Sequence, residues 1–306
     1  MKIFVSKINE SWIVDRVRNE WLEKNKEIST NTIRNADIIW IVAPWLWKKI
    51  PKKHLKNKIV VCSMYHLDNS NEEIEDFLER DQYVDYYHVI SKNTEKQIRP
   101  LTEKTIKSIP FWVDDKVFFE IKNKQELKKS LGLDQNKYYI GSFQRDTEGS
   151  DLKSPKLIKG PDRFIEIIAS KFMINKKIEV ILTGKRRQYV ISELEKIGVP
   201  YIYFEMVDSK LLNELYNILD LYIVSSRIEG GPQAIIECGL SKTPIISTDV
   251  GVAKEILAPK SIFNMSNFEN AEADEKIAYK NSINFNLING QQKFIDMFLE
   301  VEKTFF

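Results

Sequence analysis

Short runs of β-branched and aromatic residues alternate along the chain with longer stretches whose apolar positions recur at helical spacing. In the first third these runs are KIFV (2–5), DIIWIV (37–42), IVVCS (59–63), YHVI (87–90) and TIKSI (105–109). The rhythm pauses at PFWVDDKVFFEIK (110–122), where an opening proline and a dense aromatic group suit a linker pressed into a domain interface. It resumes at YYIGSF (138–143), IEVILTG (178–184), YIYFE (201–205), DLYIVSS (220–226) and TPIIS (243–247), with helical stretches at 161–171, 187–197 and 209–217 between. Repeated βα units predict an α/β protein with mainly parallel sheets. We expect two doubly wound domains, 1–112 and 113–285. A segment 286–306 comes last, its helix near 290–303 packing back on the N-terminal domain after an Asn-rich loop at 281–290.

Composition narrows the classes. A chain of 306 residues that is 43% hydrophobic can bury a substantial core, and its length favours about two domains. Lysine plus arginine (46) nearly balances aspartate plus glutamate (44), so a net charge of +2 gives no reason to expect nucleic-acid binding. Cys62 and Cys238 stand far apart without a CxxC or Cys/His cluster, which argues for buried free thiols in a reducing cytosol rather than a disulfide or zinc site. MKIFVSKINE is interrupted by charges too early for a signal peptide, and the longest apolar run, 38–47, is about half the roughly 20 residues a membrane span needs. The expected location is cytoplasmic.

In open α/β sheets, ligands sit at the carboxyl ends of strands, which directs attention to the loops after Phe143, Thr183, Glu205 and Ser226. The last of these reads Arg227-Ile228-Glu229-Gly230-Gly231-Pro232-Gln233 before a helix through Ala234, Ile235, Ile236 and Glu237. Pro232 suits the first helical position, and the two glycines allow close approach of a ligand to the backbone. A helix start of this kind attracts phosphate through oriented N–H groups and the helix dipole. Glu237 lies about 7.5 Å further along the helix, within reach of a ribose instead.

Glu229, seven residues and Glu237, with Gly-Gly-Pro after the first and STDVGVAKEIL (247–257) downstream, resemble the signature of retaining GT-B glycosyltransferases of family 4, the glycogen-synthase-like or group 1 enzymes. The resemblance covers about residues 59–260 and implies two Rossmann-like domains facing a cleft. It implies that Glu229 holds donor-sugar hydroxyls, that the Gly230 and Gly231 amides meet sugar and phosphate, that Glu237 takes the ribose hydroxyls, and that Pro232 and Gln233 belong to the same nucleotide-sugar-binding turn. Arg145 and Lys159, the latter before Gly160, match the family's pair of cations on the leaving diphosphate, although DTEGSDLKSPKLI (146–158) lengthens the usual spacing. Lys153 or Lys156 could therefore take the role of Lys159.

Thr183, Gly184 and Lys185 resemble the loop under the nucleotide, and Met206-Val207-Asp208 the place of the base; the plainer reading of Gly184 is a turn glycine. His66 matches a histidine that approaches the donor sugar from the other domain, against the alternative of a satisfied structural histidine. His88, mid-strand, reads as core and His54 as exposed. YYHVIS (86–91) and IPFWVDDKVF (109–118) extend the likeness, whereas SKINES (6–11) replaces the Gly-Gly loop common after the first strand.

The resemblance implies a metal-independent glycosyltransferase. It would move a sugar from a UDP- or GDP-type donor to a saccharide or lipid-linked acceptor, with retention, in cell-surface glycan synthesis. The alternatives are an epimerase or phosphorylase of the same fold, or a noncatalytic nucleotide-sugar-binding subunit. Residues 44–58 hold six lysines and two tryptophans, which suits peripheral docking to an anionic inner-membrane face or, alternatively, a solvated basic loop with the tryptophans packed inward.

Overall fold

In the computed structural model, which describes residues 1–7, 13–67 and 70–305, the chain forms two compact units: 1–112 together with 288–306, and 113–287. Residues 8–11 of the SKINES segment lie outside the described residues.

The N-terminal unit is a parallel sheet of β1 (Ile3–Val5), β2 (Ser29–Thr30), β3 (Ile38–Ile41), β4 (Ile59–Met64), β5 (Tyr86–Val89) and β6 (Thr105–Ser108), in the order β2-β1-β3-β4-β5-β6. Every residue of β3, β4 and β5 is buried, because helices cover both faces of a parallel sheet and the strands read as unbroken apolar runs. The core is aromatic. Trp40 of β3 meets Trp21 at 5.4 Å between ring centroids, Phe294 at 5.4 Å and Phe298 at 5.3 Å, the last two supplied by the helix Leu287–Phe305. That helix and its predecessor, Glu275–Ser282, correct the expected loop at 281–290: one turn of 3-10 helix at Ile283–Phe285 joins them. Asn281, Asn284 and Asn289 lie on helical turns, whereas Asn286 is extended and forms a parallel bridge with Val113.

The second unit has β7 (Tyr138–Ser142), β8 (Ile178–Thr183), β9 (Tyr201–Phe204), β10 (Leu221–Val224), β11 (Ile245–Thr248) and β12 (Ile262–Phe263), all parallel, in the order β12-β11-β10-β7-β8-β9. Chain order reverses between β7 and β10, and the crevice at the carboxyl ends of such a pair is where doubly wound sheets bind ligands. The two-residue strands β2 and β12, both at sheet edges, were not expected from the sequence because neither carries a run long enough to show a period.

Residues 44–58 pack partly inward. Trp47 is buried and its indole N–H donates to Asp76 (3.2 Å), while the ammonium of Lys48 reaches Asp76 at 2.8 Å and that of Lys52 reaches Glu79 at 3.8 Å. Acidic residues of the helix Asn71–Asp81 thus neutralise part of a stretch that is wholly basic in sequence. Trp45, Lys49, Lys53 and Lys56 remain exposed, and His54 is half-buried.

His88 is fully buried in a hydrogen-bonded chain: Trp40 Nε1 donates to Ser63 Oγ (2.8 Å), Ser63 Oγ pairs with His88 Nδ1 (2.8 Å), and His88 Nε2 pairs with the Ile109 carbonyl (2.7 Å). A carbonyl can only accept, so Nε2 carries the proton and Nδ1 accepts from the serine, which satisfies a neutral imidazole completely. Burial pushes His88 down to about 4 against the opposing pull of the Ile109 carbonyl. An unfolded histidine titrates near 6.5, so the unfolded chain binds the extra proton between these values. The stabilisation is therefore complete above about pH 6.5 and is lost as pH falls toward 4, by roughly 3 kcal/mol. Urea unfolding should show that loss between pH 7 and 4.5 with an imidazole NMR signal that does not move above pH 5; titration of His88 near 6.5 in the folded protein would contradict it.

Candidate functional site

Three loops meet at the β7/β10 reversal. After β10 the chain runs Ser225-Ser226-Arg227-Ile228-Glu229, and the turn Leu157–Lys159 lies alongside it, with Arg227 N donating to the Ile158 carbonyl at 2.9 Å and Ile228 N to the same oxygen at 3.2 Å. Gly160 makes this contact possible. Its φ is +62°, and a Cβ added there would stand 1.9 Å from the Ser225 carbonyl oxygen, so any side chain would force the two loops apart. Ser225 Oγ closes the junction on the Gly160 carbonyl at 2.8 Å. From there the helix Pro161–Ile174 departs, and Asp162 on its first turn takes both guanidinium nitrogens of Arg227 (2.7 and 2.6 Å).

Lys159 and Glu229 meet across the junction at 2.6 Å, with the carboxylate largely buried. The other Glu229 oxygen accepts from Ser226 Oγ (3.1 Å), and Gln144 binds the Lys159 carbonyl (2.8 Å). Arg145 is exposed at the end of the β7 loop, its Nε donating to the Thr147 carbonyl at 2.9 Å. The long spacing between Arg145 and Lys159 proves to be an excursion that returns to its start. Thr147 pairs with Pro155 in an antiparallel bridge, Glu148 N donates to Ser154 O (3.0 Å), and Lys156 N donates to Asp146 O (2.7 Å). Residues 148–154 are thereby looped out, and Lys156 re-enters beside Asp146, so Lys159 still stands a few residues from Arg145 in effective spacing. Lys156 is held below the ordinary lysine range first by burial and then by the positive charges of Arg145 and Lys159, which identifies a third cation in the group. Lys153 stays on the exposed excursion.

The turn after Glu229 leads into the helix Gln233–Ser241. Pro232 is its N-cap, with ψ at 112°, rather than its first helical residue: the extended ψ places helical geometry one position later. Gly251, at φ +50°, backs this turn; a Cβ there would meet the Gly230 carbonyl at 2.6 Å and the Pro232 ring at 2.8 Å. Glu237 is buried one turn into the helix, where Tyr216 OH donates to Oε2 at 2.8 Å. Burial and then the Glu237 carboxylate hold Tyr216 well above its ordinary range, so it remains a phenol and a donor.

A pocket of about 340 Å³ is lined by Glu229, Pro232, Gln233 and Glu237 together with Thr183, Gly184, Met206 and Val207; Arg145, Lys156 and Lys159 are not among its lining residues. Its wall is aromatic: Phe143, Tyr216 and Tyr222 approach one another at 5.1–5.5 Å between centroids. Of the sequence candidates, Lys185 is exposed and does not line the pocket, because Gly184, at φ +89°, turns the chain away after β8. His66, half-buried, follows β4 in the N-terminal unit. Sequence reasoning missed Gln144, Tyr216, Tyr222 and Phe143. Gln144 could have been found beside Arg145; the tyrosines sit on a helix and a strand whose apolar pattern explains them without a ligand.

Residues 123–279, about half of the chain, match the sequence model of the family described as glycosyl transferases group 1. A segment of 152 residues is 26% identical to the lipopolysaccharide core biosynthesis mannosyltransferase LpsB of Rhizobium meliloti, and it covers 47% of this chain and 41% of that protein. The match thus spans about two fifths of that relative's length. Among solved structures, Anabaena Alr3699/HepE in complex with UDP superposes with a TM-score of 0.77 at 14% identity, covering 98% of this chain and 100% of that one. Sucrose-phosphate synthase from Thermosynechococcus elongatus does so with a TM-score of 0.71 at 13% identity, covering 98% and 81%. At such identities the likeness establishes the fold, which is GT-B-like.

Proposed function

The chain belongs to the group 1 glycosyl transferases, and from that premise we propose that it moves a sugar from a nucleotide diphosphate-sugar to a saccharide or lipid-linked acceptor with retention of configuration. The observation that carries this reading is the Lys159–Glu229 pair, set with Arg145 and Lys156 at the sheet's reversal and beside a glycine-rich turn. In the reading, the diphosphate takes over Lys159, and Glu229, released, receives the hydroxyls of the donor sugar. Gly230 and Gly231 present amides to the phosphate, Glu237 holds the ribose with one oxygen fixed by Tyr216, and the base enters the pocket past Val207.

The bond between the sugar's anomeric carbon and the diphosphate breaks as the acceptor oxygen bonds to that carbon from the same face. The acceptor proton passes to the departing phosphate. Charge growing on the diphosphate is met by Arg145, Lys156 and Lys159, so the reading needs neither a divalent ion nor a protein nucleophile. A UDP-type donor is the first to test, since the Anabaena protein has been solved with UDP and with UDP-glucose.

We also propose that the acceptor is reached from an anionic inner-membrane face in cell-surface glycan synthesis, with Trp45, Lys49, Lys53 and Lys56 as the docking patch. No helix among the described residues is long and apolar enough to cross a membrane.

Slow release of UDP from UDP-glucose or another UDP-sugar is expected without acceptor, falling at least about 100-fold in Arg145→Ala, a loss typical of removing one stabilising donor, and falling also in Glu229→Ala, which removes the acceptor for the sugar hydroxyls. Tight binding with no turnover under any acceptor would instead support a binding subunit. For the membrane, flotation with phosphatidylserine vesicles should be lost when Lys49, Lys53 and Lys56 are changed together to glutamate; unchanged flotation of that variant removes the docking patch.

A further inference from the structure

Asp146 and Arg187 form an ion pair at 2.6 Å with side chains 2% and 1% exposed. Arg187 Nη1 donates to the Thr183 carbonyl (2.9 Å) and to that of Ser142, so one guanidinium binds the last residues of β7 and β8. Asp146 has a second partner, Thr147 Oγ1 (2.7 Å), whose oxygen also accepts from Tyr189 N (3.0 Å). The backbone repeats the connection, with Asp146 N and Thr147 N both donating to the Arg186 carbonyl at 3.1 and 3.2 Å.

A pair so deeply buried is a poor device for stability. Desolvating two charges costs about as much as their attraction returns, and apolar replacements of equal volume are often neutral or better. Here the compensation is also incomplete, because Arg187 Nη2 is buried without a hydrogen-bond partner among the described residues. What the charges do provide is direction. Neighbouring Arg145 is held by the carbonyl of Thr147, the residue whose hydroxyl Asp146 fixes, and Lys156 enters on the carbonyl of Asp146.

We propose that Asp146 and Arg187 are positioning residues for the donor's diphosphate, acting through Arg145: the buried pair locks the loops after β7 and β8 together, so that Arg145 and the Thr183–Gly184 edge of the pocket keep a fixed separation. The role of Arg145 on the phosphate rests on the donor reading above; the locking of the loops does not.

The test replaces both charges at once, in the full-length Asp146→Leu/Arg187→Met variant, and tracks three quantities. The urea midpoint should be unchanged within about 0.5 M or raised. Amide hydrogen exchange at residues 144–147 and 185–187 should rise at least tenfold over wild type. Calorimetric affinity for UDP should fall about tenfold, and the same replacement in an Arg145→Ala background should cause no further loss. Exchange and affinity that match wild type overturn the proposal, as does an equal loss of affinity in both backgrounds. Should the double variant not fold, Thr147→Val, which removes only the hydroxyl that Asp146 and Tyr189 share, is read by the same exchange and affinity measurements. If wild-type protein binds no UDP, the donor reading fails, and exchange alone decides whether the pair locks the loops.

Discussion

The contact of Gly160 with the carbonyl of Ser225 is the constraint on which the rest of the site depends. A doubly wound sheet opens a crevice wherever its chain order reverses, but a crevice alone carries no chemistry. By letting a helix start press directly on the end of β10, the left-handed glycine brings Lys159 within 2.6 Å of Glu229. A cation from one βα loop and a carboxylate from another thus share one place, where each neutralises the other. Gly251 does the same on the far side of the turn, where its bare backbone supports Gly230 and Pro232.

Charge is placed unevenly around the site. Arg145 stays in solvent, Lys156 and Lys159 are partly withdrawn from it, and Asp146 with Arg187 is withdrawn altogether. In the proposed donor site, the exposed charge would attract an anion at little desolvation cost, the partly buried ones would grip it in a lower dielectric, and the deepest pair would hold the others in place. The aromatic wall of Phe143, Tyr216 and Tyr222 completes the gradient from water to apolar interior, with Tyr216 reaching back to Glu237.

Much of this was legible in the sequence, and the exceptions have physical causes. Ten strands announce themselves as β-branched or aromatic runs, most plainly β3, β4, β5, β10 and β11, which are buried along their whole length; β2 and β12 are too short to show any period. That Glu229 and Glu237 line one pocket could be anticipated because strand, turn and helix succeed one another locally. The thirteen residues between Arg145 and Lys159 could not, since spacing along a chain says nothing about a loop that closes on itself through the Thr147–Pro155 bridge. Asp146 and Arg187 are forty-one positions apart and look like ordinary surface charges until the fold buries them together. The stretch 44–58 misleads in the opposite direction: its lysines read as one basic surface, yet Asp76 and Glu79 from a later helix lie against two of them.

If the site works as proposed, the Gly231 turn and the cations facing it grip an activated sugar by its diphosphate. A crystal structure of the full chain with UDP tests that most directly. Phosphate oxygens are expected within hydrogen-bond distance of Arg145, of Lys159 parted from Glu229, and of the Gly231 amide, with the ribose on Glu237. A diphosphate bound elsewhere, or Lys159 still bonded to Glu229 with UDP in the pocket, would contradict it.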